Sequence, residues 1–345
     1  MLVANKHRFM DDQDIDRPQG NSMRVPKCLP VLFVTLFAAR GLSAAEDLRL
    51  YRSLCDASAG VALDMQHFVI ADDESKSDSL TIFRRDKAEP LSSKSFDKFL
   101  DTPKGKEADI EGSAMIGDRI YWITSHARNK KGEPAPERHR LFATVVKPGD
   151  PPTLEPVGIP YRDLLQAMLD SALLVPYRLE EASKLAPKSA DSLNIEGLAA
   201  TADGGLLIGF RSPIRNGKAL VLPLTNPQSL VEGKAAPAFG TPLSLDLGGL
   251  GIRSMERIGS RIMIVAGPAT SEGAFALYEW SGRASDSPRR VPTSAMDGLN
   301  PEVLFSFPDG VIRIASDDGA LLTDQIACKD RKPAKREFRS VSLPR

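Results

Sequence analysis

Short stretches in which apolar and polar residues alternate recur along the chain from about residue 48 to its end. Gly, Asp and Pro separate the stretches from one another. Alternation with a period of two is typical of half-buried strands, and these three residue types favour the turns between strands. The pattern therefore predicts an all-β protein.

Five of these stretches repeat the same order of strand, tight turn and strand, and their turns have hairpin chemistry. The copies begin at Ala59, Glu111, Glu196, Arg253 and Glu302. A third strand is predicted after four of the hairpins, over 79–83, 140–146, 219–224 and 275–280. The spacings are 52, 85, 57 and 49 residues, against about 40 to 50 residues for a four-stranded blade. The repeat predicts a β-propeller of about five blades, with a sixth degenerate blade left open.

The longest interval, between the second and third copies, predicts a short helical insertion. Apolar residues stand at helical spacing over 161–174, with Pro160 before them and Pro176 after them. A second short helix is predicted over 179–185, so the insert covers about 160–187 of a single domain at 46–345. The segments 48–54 and 338–343 are expected to be strands that complete one blade from both ends of the chain.

The first 45 residues are predicted to lie outside the fold. Residues 1–22 are polar and are interpreted as a non-native or disordered extension. A second methionine, Met23, is followed by Arg24 and Lys27, an apolar run at 28–39 and small residues before Ala45. This order is typical of a secretory signal peptide at 23–45, cleaved after Ala45. It predicts a periplasmic or secreted protein that does not stay inserted in the membrane.

Composition narrows the function classes. Lys+Arg and Asp+Glu are equal at 45 each, which disfavours a nucleic-acid partner. Four His and three Cys make a zinc cluster improbable. After the predicted cleavage the chain keeps Cys55 and Cys328, and such a pair usually forms a disulfide in an oxidising compartment. Two separate buried thiols are the alternative.

The aligned repeats place charged residues at one equivalent position, near the start of each innermost strand and the mouth of the axial channel. Glu111, Glu196, Arg253 and Glu302 occupy it, with Ala59 in the first copy. Since strands in a hairpin are antiparallel, the ends of the second strands should lie beside this ring. The residues predicted to join the same face from there are Asp72, Ser125, His126, Arg128 and Arg211.

Three interpretations of this ring remain open. A cation such as Ca²⁺, the one cofactor that the pattern suggests, would take oxygen ligands from Glu111, Glu196, Glu302, Asp109 and Asn194. Alternatively, Arg211, Arg253 and Arg128 would grip a carboxylate or phosphate. With a metal bound, His126 as general base would allow ester hydrolysis. In the third interpretation the Glu and Arg side chains pair with each other and hold the blades together.

Several segments together resemble a known bacterial family. Asn194-Ile-Glu-Gly-Leu-Ala, Gly209-Phe-Arg-Ser-Pro, Gly251-Ile-Arg and Thr124-Ser-His-Ala-Arg look like the family catalogued as domain of unknown function 3616, over about residues 58 to 325. The resemblance implies an exported propeller-like protein and supplies no activity. More distantly, the repeated Glu-Gly resembles a motif of phytase-like exported esterase propellers. Glu111, Glu196 and Glu302 match the Glu of that motif, whereas Arg253 and Ala59 depart from it.

The sequence thus predicts an exported, monomeric β-propeller that binds a small anionic ligand or a divalent cation at the channel mouth. A metal-dependent ester or phosphoester hydrolase on the same face is the alternative, and a scaffold that binds a protein partner is a third. No GxSxG elbow, HExxH, P-loop or dinucleotide glycine motif is present to favour another chemistry.

Overall fold

The computed structural model describes residues 47–72 and 77–343. Twenty of its strands form five antiparallel sheets of four strands, as the repeat predicts. The predicted extension and signal peptide, at 1–22 and 23–45, lie outside the described residues. In the described part of the chain, no helix has the length and apolar character needed to cross a membrane.

Four blades are each built in chain order, from the innermost strand outwards, so that sequential strands are neighbours. The first blade contains β2 (Ala57–Ala62), β3 (His67–Asp72), β4 (Ser79–Arg84) and β5 (Pro90–Ser95). The second contains β6 (Ile110–Ile116), β7 (Arg119–Thr124), β8 (Leu141–Lys147) and β9 (Thr153–Tyr161). The third contains β10 (Asn194–Ala200), β11 (Leu206–Ser212), β12 (Lys218–Leu224) and β13 (Leu243–Asp246). The fourth contains β14 (Gly251–Ile258), β15 (Arg261–Gly267), β16 (Ala276–Trp280) and β17 (Arg289–Val291).

The fifth blade is completed by both ends of the chain, which confirms that prediction. Its inner strands are β18 (Pro301–Ser306) and β19 (Ile312–Ser316), and its outer strands are β22 (Glu337–Ser342) and β1 (Arg49–Arg52). Strands β1 and β22 run antiparallel with Tyr51 opposite Phe338. A small hairpin of β20 (Leu322–Thr323) and β21 (Ile326–Ala327) lies between β19 and β22 in the chain.

The innermost strands β2, β6, β10, β14 and β18 contact one another in a closed cycle, and β18 returns to β2. One apolar cluster fills each gap between neighbouring blades. The gap between the fifth and first blades is aromatic: Phe68 stacks on Phe305 at 5.3 Å, and Tyr51 stacks on Phe338 at 5.4 Å between ring centroids. The chain is therefore a five-bladed propeller.

The helical insertion is present but more broken than the apolar spacing predicts. It contains α2 (Leu164–Leu169), a 3-10 helix (Ala172–Tyr177) and α3 (Leu179–Ala182). Extended backbone at Ser171 ends the regular helix, and a left-handed residue, Arg178, separates the last two segments. The buried faces pack into the cluster between the second and third blades. Two further helices, α1 (Asp97–Leu100) and α4 (Pro227–Val231), follow the outer strands of the first blade and β12.

Cys55 and Cys328 form a disulfide, as predicted, with a sulfur–sulfur distance of 2.01 Å. Cys55 lies between β1 and β2, whereas Cys328 lies directly after β21. The bond therefore joins the two ends of the chain beside the blade that closes the ring.

Candidate functional site

A β-bulge lies near the start of each innermost strand. In the second blade, Ile110 pairs with Thr124 and Gly112 pairs with Ile123, so Glu111 has no residue opposite it. The corresponding extra residues in the five blades are Ser58, Glu111, Glu196, Arg253 and Glu302. Bulges re-aim a side chain out of the regular strand pattern. They explain how four charged side chains on buried strands reach the channel.

The bulge corrects the sequence alignment in the first blade. Ala57 pairs with Asp72 and Ala59 pairs with Ala71, which makes Ser58 the equivalent residue and not Ala59. The Ser58 hydroxyl donates a hydrogen bond of 2.6 Å to the carbonyl of Ile110. This position therefore ties the first blade to the second and contributes no charge.

The four charged bulge residues line a cavity of about 250 Å³ at one end of the channel. The start of β10, one second strand and the connecting segments contribute the other charged or amide groups around them. These further lining residues are Asp109, Lys130, Arg138, Lys188, Asn194, Arg211, Asn300 and Asp317. The predicted residues Glu111, Glu196, Glu302, Arg211, Arg253, Asp109 and Asn194 are thus brought together.

Two arginines engage Glu196 from neighbouring strands. Arg211 Nη1 donates to Glu196 Oε1 at 2.8 Å. Arg253 Nε lies 3.0 Å from Glu196 Oε2 but is not aligned for a hydrogen bond. Arg253 Nη2 also contacts Glu302 Oε1, so this one guanidinium connects the third, fourth and fifth blades. The pairing of Glu and Arg between blades is therefore present.

Amides and carbonyls complete this network. Asn194 Nδ2 donates to Glu196 Oε1 at 2.8 Å, and Asn300 Nδ2 donates to Asp317 Oδ2 at 3.0 Å. Arg211 also donates to the carbonyls of Pro268 and Thr270, at 3.1 and 2.6 Å. Each of the three Arg211 nitrogens consequently has an acceptor within the protein.

Asp109 is held by a different arginine. Arg138 Nη1 donates to Asp109 Oδ2 at 2.7 Å, and Arg138 Nη2 contacts Glu107 Oε1. The Ser125 side chain also hydrogen-bonds to the Asp109 carboxyl. Burial nevertheless raises the pKa of Asp109, against the opposing effect of the Arg138 guanidinium.

Glu111 differs from the other acids of the cavity because its carboxyl group has no hydrogen bond or ion pair to any residue that the structure describes. It lines the cavity and is 7% exposed. Burial raises the pKa of Glu111 well above its usual value, and the negative charges of Glu196 and Asp109 add to this effect. Arg253 and Arg211 counteract it in part. The cavity thus contains a carboxyl group with no internal partner.

Four predicted site residues do not line the cavity. Ser125 lies behind Asp109, and Asp72 ends β3 in the first blade. Arg128 donates to the carbonyls of Ser183 and Gly132, at 2.9 and 3.0 Å, and so holds the helical insert. The fourth residue is His126.

His126 is buried away from the cavity. Its Nδ1 donates to the carbonyl of Thr124 at 2.8 Å, and its ring stacks on His139 at 5.6 Å. Burial lowers the pKa of His126 to about 3, and the neighbouring His139 adds to the decrease. The arrangement does not bring this imidazole to a cavity-bound ester.

The described residues contain no group of three His, Cys, Asp or Glu side chains placed to hold a metal ion. The physical reason lies in the network: Arg253 stands between Glu196 and Glu302, and Arg211 occupies another side of Glu196. Three acids of the predicted Ca²⁺ set, Glu196, Glu302 and Asp109, are therefore paired with guanidinium groups.

The sequence repeat did not indicate three of the lining cations. Lys130, Arg138 and Lys188 lie in the long loops that follow β7 and precede β10. These loops have no counterpart in the other copies, so alignment carries no signal for them. Of the residues that the sequence predicts for the site, Asp109 pairs with one of these cations, Arg138.

A family model described as "Protein of unknown function (DUF3616)" matches residues 56–144 and 161–317. The chain belongs to this family. The matched ranges include Glu111, Glu196, Arg253 and Glu302. No curated protein matches its sequence.

Solved structures that are similar to this chain have low sequence identity to it. A Thermus thermophilus protein titled putative oxidoreductase (glucose dehydrogenase) is 12% identical, with a TM-score of 0.39 and 86% and 100% of the two chains covered. The WD40 repeats of RRP9 are 11% identical, with a TM-score of 0.38 over 86% and 98%. A GH43 glycoside hydrolase is 11% identical, with a TM-score of 0.41 over 87% of this chain and 52% of its own length. The chain thus spans about half of that hydrolase, and none of these likenesses bears on function.

Proposed function

We propose that this propeller binds a small charged ligand in the cavity at the channel mouth. The observation that carries the proposal is Glu111, a buried carboxyl that lines the cavity without an internal partner. Buried polar groups in proteins are almost always hydrogen-bonded, because an unpaired one retains its desolvation cost. A ligand that contacts Glu111 would offset that cost.

The size and lining of the cavity support a compact polar ligand. The volume of about 250 Å³ lies below the usual range for drug-sized ligands. Both signs of charge line the walls. An anionic group would meet the arginines, and a cationic group would meet the carboxyls. Binding needs no general base, and His126 lies outside the cavity.

Export to the periplasm or the medium belongs to the same proposal. The disulfide supports it, because such bonds persist in oxidising compartments.

Thermal unfolding in the presence of simple probes tests the binding proposal. We expect at least one of sodium phosphate, sodium acetate, ethylammonium chloride and calcium chloride to raise Tm, because a ligand that binds only the folded state stabilises it. Ser271→Trp, which places a bulky ring at the cavity wall, should abolish that shift. Ser287→Trp, on another exposed surface, is the matched control and should preserve it. No shift with any of the four probes would contradict the proposal.

A further inference from the structure

The sign of the ligand's charge follows from which side-chain atoms around the cavity lack partners. Among the buried side-chain atoms that the structure describes there, Asn194 Oδ1 and Glu196 Oε2 are acceptors without a hydrogen bond, and Arg253 Nε is a donor without one. The last two lie 3.0 Å apart and satisfy each other's charge. The Glu111 carboxyl adds further acceptors. Among the buried side chains of the wall, unsatisfied acceptors therefore exceed unsatisfied donors.

The arginines offer little to an anion. Arg211 directs its three nitrogens at Glu196, Pro268 and Thr270. Arg253 lies between Glu196 and Glu302, and Arg138 lies between Asp109 and Glu107. To reach an arginine, an anionic ligand would have to displace one of these carboxylates and leave it buried and unpaired, which is strongly unfavourable. The other two lining cations, Lys130 and Lys188, are exposed loop residues.

We infer that the ligand presents an organic ammonium group to Glu111. This inference rests on the proposed function and specifies the chemical class of its ligand. An ammonium carries three N–H donors and no acceptor, which matches a wall rich in unsatisfied oxygens. A calcium ion fits less well, because it takes about six to eight oxygen ligands, and no group of three acidic side chains is placed to hold a metal within the described residues.

Binding of the ammonium group should release one proton from the protein. The groups that face Glu111 are Asp109 before β6, Glu196 on β10, Arg211 on β11 and Arg253 on β14. Burial and the two acids raise the pKa of Glu111, and the two arginines counteract the increase in part. An incoming ammonium favours the carboxylate, so the Glu111 carboxyl releases its proton to solvent as the ion pair forms. Ammonium binding should therefore strengthen as pH rises, whereas an anion that accepts a hydrogen bond from the protonated carboxyl should bind more weakly.

Titration calorimetry with ethylammonium chloride tests the inference, with sodium acetate, sodium phosphate and calcium chloride compared at equal ionic strength. We expect ethylammonium to bind, with an affinity that rises with pH and with proton release detected in two buffers of different ionisation enthalpy. Glu111→Gln should weaken its binding at least tenfold. Glu155→Gln, on the exposed face of β9 in the same blade, is the matched control and should leave it unchanged.

Binding of acetate, phosphate or calcium without ethylammonium would overturn the inference and leave the binding proposal standing. Failure of all four probes would overturn both. If Glu111→Gln does not fold, the unaltered protein decides: ethylammonium affinity that stays constant or falls as pH rises overturns the inference.

Discussion

Individual carboxyl groups in this propeller take different roles because their neighbours differ. Glu196 and Glu111 occupy equivalent bulges on adjacent blades. The Glu196 carboxylate is contacted by Arg211, Arg253 and Asn194, and it thereby connects neighbouring blades. The Glu111 carboxyl is contacted by none of these groups and remains available to a ligand. Residue type alone could not have distinguished the two.

Glu256 is a second acid whose environment favours the neutral form. It lies on β14 and is hydrogen-bonded to the backbone and side chain of Ser306 on β18. Burial raises its pKa to about 8, although the Ser306 hydrogen bonds oppose the increase. The unfolded chain ionises this group at a lower pH than the folded protein does. Stability should therefore fall as pH rises from about 4.5 to 8.

We expect Glu256→Gln to remove that loss of stability. Because partial solvent exposure moderates the effect, the gain in the free energy of unfolding at pH 8 should be roughly 2 to 4 kcal/mol. At pH 4 the variant and the unaltered protein should be nearly equal. Urea unfolding at both pH values measures this, with the exposed Glu155→Gln as control. An equal gain at pH 4 and pH 8 would show that titration of Glu256 is not the cause.

At the scale of elements, two of the bulges are followed by a glycine that allows close contact with the next blade. Gly197 follows the Glu196 bulge, and a Cβ atom there would lie 2.6 Å from Ile252 Cγ2 and 3.0 Å from Met255 Cγ on β14. Gly112 similarly follows Glu111 and faces Leu198 on β10. The repeated Glu-Gly therefore combines a side chain aimed at the channel with a residue small enough for the blades to approach.

We expect Gly197→Ala to destabilise the protein by about 1 to 3 kcal/mol, because a well-packed interface must shift to admit the methyl group. Urea unfolding measures the cost. A double-mutant cycle with Ile252→Ala identifies its origin: if the clash with Ile252 causes the loss, the double variant should be more stable than the sum of the single effects. Simple additivity would place the cause elsewhere.

The hydrophobic pattern was sufficient to predict the innermost strands and their hairpins, since alternation and turn residues are local properties. It was not sufficient to locate the bulge in the first blade. The all-buried strand Ala57–Ala62 lacks a charged residue to mark which position is unopposed, so Ser58 was missed by one residue. The expected position of His126 at the cavity was wrong for another local reason. Its backbone is left-handed, with φ of 54°, just after the end of β7, and its ring hydrogen-bonds back to the carbonyl of Thr124.

At the scale of the whole molecule, ring closure depends on contacts between the two ends of the chain. The outer strands β1 and β22 pair across the fifth blade, and Arg313 Nη1 donates to Asp47 Oδ2 at 3.1 Å. The aromatic cluster between the fifth and first blades adds apolar burial at the same seam. A closed ring leaves no innermost strand without a neighbour, which keeps the four charged bulge residues facing one cavity.

The disulfide should stabilise this closure mainly by restricting the unfolded chain. Cys55 and Cys328 are 273 residues apart, and cross-linking a loop of that size contributes about 5 kcal/mol in the chain-entropy model. We expect the double variant Cys55→Ala and Cys328→Ala to lose up to about that amount in urea unfolding. The unaltered protein under reducing conditions should approach the same stability, while the reductant should leave the double variant unchanged. A loss below about 1 kcal/mol would mean that strand pairing and the aromatic seam already keep the chain ends together in the unfolded ensemble, since the cross-link could then remove little further entropy.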